Sequence, residues 1–244
     1  MDASWEEFGW ERVGPGVGRR RLPGWDATVA LVAGADGALL FDTGSTLREG
    51  AEVRRQAEAL LGRRVTHIAL SHPHFDHVFG TAAFSGAEVY GAAGLAEFLR
   101  KDGAAGLRAS AVRHGVAERD AAEAADALVV PKHQVCGEWT IGLGGGREVV
   151  LADVGPAHSG HDLVAVVPGS SGSPAVVLCG DLVEESGEPQ AGEDAHPARW
   201  PAALDRLLAL GGGDAVYVPG HGALVDAAFV REQRRRLAGL FGVS

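Results

Sequence analysis

Six consecutive residues, "HPHFDH" at 72–77, hold three histidines and an aspartate. Imidazole and carboxylate are the ligand types of zinc, and equally of iron and manganese. Residues two apart in an extended segment point the same way, so His72 and His74 address one point. Asp76 and His77 follow where the chain turns into a helix, and they address a second point nearby. A solvated polar loop is the plain alternative, but four ligand-type residues in six are too many for an accident of composition.

A catalytic metal needs further ligands from elsewhere in the chain. Three later apolar runs share one design, a glycine followed by a ligand-type residue: "VVLADVGPAH" ends at His158, "AVVLCGD" at Asp181 and "AVYVPGH" at His221. Each would project a ligand from the end of a buried strand, where a rigid sheet fixes its position. Glycine there lets the backbone turn tightly and come close to the site.

The segment "HPHFDH" resembles the H-x-H-x-D-H signature of the metallo-β-lactamase fold superfamily. "FDTG" (41–44), "GPAHSGHD" (155–162), "CGDLV" (179–183) and "PGHG" (219–222) resemble its other motifs, in the right order, between about residues 28 and 225. The resemblance implies an α/β fold, a four-layer αββα sandwich of two mixed β-sheets flanked by helices. It implies that His72, His74 and His158 bind a first metal, that Asp76, His77 and His221 bind a second, and that Asp181 bridges them. Asp42 then looks like the family's buried aspartate that orders the loops beneath the site, and Asp162 like a similar loop-ordering carboxylate.

The chemistry implied is that of a dinuclear metal-dependent hydrolase carrying two zinc ions, with iron or manganese as alternatives. Two metals about 3.5–4 Å apart can hold a shared hydroxide, and zinc brings the pKa of bound water to about 7. Asp76 resembles the superfamily's water-orienting aspartate and is the expected catalytic residue. Typical zinc β-lactamases of this fold carry Cys or Ser at the place of Asp181. Aspartate there is the pattern of glyoxalase II-like thioesterases, lactonases, phosphodiesterases and nucleases. The expected substrate is a small-molecule ester, lactone or thioester. Rival readings are an iron-dependent sulfur dioxygenase-like enzyme, a phosphodiesterase or β-lactamase-like hydrolase, and a binding module without activity. Intact ligand types at all seven positions speak against the last.

The elements that must position these residues are legible in part. "ATVALVAG" and "ALLFDTG" read as strands of a hairpin turning at Asp36-Gly37. "LREGAEVRRQAEALLG" reads as an amphipathic helix ending at Gly62. "VTHIAL" is a buried strand running into the histidine cluster, with a short helix after Asp76. Ala-rich residues 104–127 read as helix plus loop. "HQVCGEWTIGLGGGREVVLADVG" reads as consecutive strands with Gly turns, and "DLVAVVPG" with "PAVVLCGD" as a further pair. A helix around residues 201–210, the strand "AVYVPG" and a terminal helix complete the chain. Strands flanked by helices in both halves suggest two sheets between helical layers, in one domain over residues 1–244.

Of the 244 residues 46% are apolar, enough for a large core, and the net charge is −10. An acidic chain without an evident basic patch argues against nucleic acid and ranks phosphodiesters lower. No run of about 20 apolar residues suggests a membrane span. The N-terminus carries no signal-peptide core, and Cys136 and Cys179 form no CxxC pair, so a reducing cytoplasm is the expected setting. A homodimer is compatible with all of this. Cys179 reads as a buried structural thiol. His161 and His196 are expected to border the substrate pocket. Residues 184–200 leave the sheet just after Asp181 and carry several acids; they read either as an acidic solvated loop with Trp200 packed on the core or as a wall of the substrate pocket, with Trp200 a substrate contact if it faces inward.

Overall fold

Alternation along the strands divides the apolar side chains among three cores. In the computed structural model, which describes residues 4–170 and 172–243, seven strands form the first sheet in sequence order. They are β1 (Glu11–Gly14), β2 (Val17–Arg21), β3 (Thr28–Ala33), β4 (Ala38–Phe41), β5 (His67–Ala69), β6 (Glu88–Ala92) and β7 (His133–Val135). β1 to β4 run antiparallel, and β4 to β7 parallel. The second sheet has the order β12-β11-β10-β9-β8. It contains β8 (Glu138–Gly144), β9 (Arg147–Asp153), β10 (Leu163–Val167), β11 (Val176–Glu184) and β12 (Val216–His221). Only its β11–β12 pair is parallel.

On β3, Ala30 and Val32 face the second sheet and meet Leu151, Leu163 and Leu178 there. Val29 and Leu31, one residue out of phase, face away. They pack under α1 (Leu47–Leu61), α2 (Phe75–Val78), α3 (Leu95–Phe98), α4 (Ala104–Arg113) and α5 (Glu118–Asp126). On β10, Leu163 and Ala165 face inward, while Val164 and Val166 face α6 (Trp200–Gly211) and α7 (Ala227–Phe241). A period of two on the strands thus yields four layers, two sheets face to face with helices outside each. Each fully buried Val or Leu contributes about 1.5–3 kcal/mol.

The long helix α1 shows why local sequence sufficed there. Thr46 caps its start, accepting from the Glu49 N–H at 3.1 Å, and Gly62 ends it at φ 66°. Residues 104–127 hold two helices rather than one. The hairpin β1–β2 lies outside the expected strands, because "ERVGPGVGRRR" is too charged to read as a strand. Arg19 explains it: its buried guanidinium is satisfied by Glu11 at 2.7 Å and the Gly222 carbonyl at 2.9 Å. The run 133–153 holds strands of both sheets, the chain crossing between them after β7.

Candidate metal centre

β5 ends inside the first sheet, and the chain continues through Leu70 and Ser71 into His72. His74 precedes α2, whose first turn carries Asp76 and His77. His158 stands in the turn between β9 and β10, Asp181 on β11 and His221 at the end of β12. All lie at one rim of the sandwich. His72, His74, His158 and Asp181 form one group and Asp76, His77 and His221 a second, with ligand atoms within 4.8 Å of one another in each.

Asp181 faces both groups. Its Oδ1 is 3.2 Å from His77 Nε2. Its Oδ2 is 3.3 Å from His221 Nε2, 3.5 Å from His158 Nε2 and 3.6 Å from His72 Nε2. His158 Nε2 is 3.1 Å from His74 Nδ1, and Asp76 Oδ2 is 3.6 Å from His77 Nε2 and 3.5 Å from His221 Nε2. Ligand atoms at about 2.0–2.1 Å around a tetrahedral zinc stand about 3.3 Å apart, so these separations fit metal ions. Buried and without a hydrogen-bond partner are His72 Nε2, His77 Nε2 and Asp181 Oδ1. Such atoms are costly unless something coordinates them.

Contacts behind the site fix the rings. Ser71 Oγ donates to Asp42 Oδ2 at 2.7 Å and so accepts from His72 Nδ1 at 2.8 Å. His77 Nδ1 donates to the same Asp42 oxygen at 2.9 Å, and Ser71 N to Asp42 Oδ1 at 2.8 Å. His221 Nδ1 donates to the Trp25 carbonyl at 2.7 Å. Each bond keeps a proton on the outer nitrogen and turns the inner nitrogen toward the metal position. Asp162 accepts from Ala157 N at 2.8 Å, Ser159 N at 3.0 Å and Ser159 Oγ at 2.6 Å, which ties down the turn bearing His158. Burial pushes the Asp162 carboxyl up to about 6, against the pull of these hydrogen bonds.

Two kinds of histidine result. Burial holds His72 well below its ordinary range and His158 at about 4. Burial acts the same way on His77 and His221, but the carboxylates overcome it. Asp181, Asp76 and Asp42 hold His77 well above its usual value, and Asp181 lifts His221 to about 9. Asp181 itself is driven up by burial and down, more strongly, by His77, His221 and His72.

One expectation about the pocket is corrected. Trp200 does not face a substrate. Its side chain is fully buried among the helix-facing core residues, donates from Nε1 to the Leu182 carbonyl at 3.0 Å, and lies edge-on to His158 with ring centres 5.3 Å apart. Three of the acids of residues 184–200 have partners. Glu185 accepts from Ala223 N at 2.7 Å, Glu188 pairs with Arg236, and Asp194 meets His74 Nε2 at 3.2 Å. Cys179 is buried on the helix side of β11, away from the site. His161 is half-buried, held by the Ala93 carbonyl at 3.0 Å and tilted against Phe98 with ring centres 5.7 Å apart. His196 is exposed, with its backbone N–H on the Ala157 carbonyl at 2.7 Å. A basic concavity does exist. A cavity of about 690 Å³ is lined by Arg19, Arg20, Arg21 and Arg55, but it holds none of the seven ligand-type residues. Arg19 and Arg21 are paired there with Glu11 and Asp26.

Residues 22–221 match the Metallo-beta-lactamase superfamily, and the chain belongs to that family. It is 27% identical over 199 residues to Metallo-beta-lactamase domain-containing protein 1 of Xenopus laevis, spanning 81% of this chain and 71% of that protein. A metallo-beta-lactamase from Pontibacter korlensis superposes with a TM-score of 0.72 at 19% identity, over 93% of this chain and 97% of that one. FIM-1 from Pseudomonas aeruginosa, in its mono-zinc form, gives 0.66 at 20% identity, over 96% of each chain. These two likenesses show the shared fold. Within the family, the paired His/Asp groups define a metal-dependent hydrolase with a dinuclear site.

Proposed function

We propose that this hydrolase cleaves an ester, lactone or thioester of a small molecule and that its two ions are zinc. His72, His74 and His158 would hold the first ion and Asp76, His77 and His221 the second, with Asp181 spanning them. When bound, the metals supply a water nucleophile at neutral pH and polarise the scissile carbonyl. The chain's own residues do the rest. Asp42, Ser71 and the Trp25 carbonyl hold the imidazoles in one orientation. Asp181 balances positive charge on both sides at once. Asp76 Oδ2 faces His77 and His221, and its carboxylate is 12% exposed, open to hold the proton taken from water. His161 and His196 flank the turn that carries His158, which suits them to border the substrate. No helix among the described residues is long and apolar enough to cross a membrane. We further propose a single domain acting in a reducing cytoplasm, consistent with two free cysteines, on a small molecule rather than nucleic acid.

The observation that carries this reading is Asp181, within 3.6 Å of histidines from both groups. From the sequence, an aspartate at that place is the pattern of thioesterases and lactonases and equally of phosphodiesterases and nucleases, and the net charge of −10 ranks the last two lower. Zinc is supported by the mono-zinc form of FIM-1, a relative in fold. The test is a hydrolysis screen of zinc-loaded protein on lactones, esters, thioesters, phosphodiesters and β-lactams, with Asp181→Ala as control. Turnover of an acyl class, absent in the control, is expected. Preference for phosphodiesters or β-lactams would overturn the substrate reading, and activity only with iron would overturn zinc.

A further inference from the structure

His74 differs from the other inward-facing histidines in what stands behind it. His72, His77 and His221 rest on Ser71, Asp42 and the Trp25 carbonyl, groups close to the sheet rims. His74 points Nδ1 at His158 Nε2, 3.1 Å away, and turns Nε2 outward. There it meets Asp194, with Oδ2 at 3.2 Å and Oδ1 at 3.4 Å. Asp194 lies 120 residues further along the chain, in the irregular segment between β11 and α6.

That segment touches the first ligand group twice. Besides Asp194 on His74, the His196 N–H donates to the Ala157 carbonyl at 2.7 Å, one residue before His158. The segment also starts at the end of β11, four residues after Asp181. Glu185 anchors its beginning on Ala223 N at 2.7 Å, beside His221. Its path is therefore set by contacts to the neighbours of ligand-type residues from both groups.

We infer that Asp194 is a positioning residue for His74, and that through it the segment 185–199 and the first metal site order each other. This rests on the proposed dinuclear reading. The physical reason is the carboxylate on the outer N–H. It fixes the proton on Nε2, leaves the Nδ1 lone pair inward, holds the ring plane, and makes the imidazole a stronger ligand. The pair is partly exposed, with side chains 28% and 38% accessible. It exists only while the segment is folded over the site. A metal on His74 Nδ1 polarises the ring and strengthens the Nε2–H bond to Asp194. Metal binding and segment closure are then linked, and linkage acts equally in both directions.

The test is metal affinity and segment protection, not turnover. Zinc is titrated against a chromophoric chelator for wild type, Asp194→Ala, Asp194→Asn and the exposed neighbour variant Glu193→Ala. Asp194→Ala is expected to weaken one of two sites by about 10–100-fold and to leave the other within threefold. Asp194→Asn keeps an acceptor without the charge, so it is expected to fall between Ala and wild type. Glu193→Ala is expected to match wild type. Hydrogen exchange should show residues 185–199 more protected with zinc than without it in wild type, and not in Asp194→Ala. A wild type that binds two ions, with Asp194→Ala equal to it in affinity and in protection, overturns this inference. A wild type that never binds a second ion overturns the dinuclear reading instead.

Discussion

Gly220 leaves the space that the Asp181 carboxylate fills. A Cβ added at Gly220 would lie 1.8 Å from Asp181 Oδ1 and 2.8 Å from the Gly180 carbonyl carbon. Parallel pairing of β11 with β12 brings the two backbones together here, across an irregular register between Gly180 and Glu184. Gly180 makes a similar approach at φ +54°, its added Cβ 2.7 Å from Ser71 Cβ.

Gly220→Ala is therefore expected to displace Asp181 while leaving the sheets folded. Elemental analysis of the zinc-loaded variant should find less than the wild-type metal content, with an unchanged far-ultraviolet dichroism spectrum. Full metal content would show that the strands part without moving the carboxylate.

Asp181→Ala and Cys179→Ser should behave oppositely, although only two residues separate them. Removing the carboxylate leaves two cations repelling each other at close range, so most activity and at least one metal should go. The Cys179 thiol is held protonated by burial and packs toward α6 and α7. Its serine variant buries a hydroxyl, costs about 1–3 kcal/mol in stability, and should keep both metals. Metal loss in the serine variant would make the thiol a ligand.

Trp200→Ala is expected to act on stability. A fully buried tryptophan exchanged for alanine costs about 3–5 kcal/mol, read as a lower denaturant midpoint. The folded fraction should keep its KM across a panel of acyl sizes. A KM that climbs with acyl size would return Trp200 to the pocket.

Zinc affinity should rise with pH, and the second group should carry most of that rise. In the metal-free protein His221 holds its proton up to about 9, and His77 is held well above its usual value. A metal must displace these protons, so lowering the pH below about 9 weakens binding. The slope is about tenfold per pH unit for each proton released. In the first group burial lowers His74 but Asp194 outweighs it and raises it, so that ring also gives up a proton, while His72 and His158 are neutral at pH 7 through burial and release none. Chelator competition between about pH 6 and pH 8 reads the slope. Equal slopes at the two sites would contradict the assignment.

The parts of this protein legible in its sequence are those whose cause is local. The ligand cluster at 72–77, the capped helix α1 and the hairpin β3–β4 carry their signals within a few residues. Cys179 reads as a buried thiol from its apolar run, but its direction does not, because alternation along the strand is lost at Gly180. What escaped reading depends on partners far along the chain. The strand β2 can hold the buried Arg19 because Glu11 and the Gly222 carbonyl accept its guanidinium. For Trp200 the sequence offers both the core and the pocket, because it lies only a loop away from Asp181. Helix α6 turns it onto the back of His158. Asp194 was visible as one acid among several, and no short-range pattern marks which of them would reach His74.

One carboxylate, Asp42, stands under both halves of the centre, in a left-handed backbone conformation at φ 62° that a non-glycine residue rarely takes. It reaches His77 directly and His72 through Ser71. Shared footing of this kind removes independence. Any substitution that shifts Asp42 moves a ligand of each ion together, so it cannot retune one metal alone. Divergence of this enzyme toward a new substrate would have to work through the unshared supports, the Trp25 carbonyl behind His221 and Asp194 behind His74. Laboratory evolution should accordingly accumulate changes around residues 25 and 194 and leave residue 42 untouched.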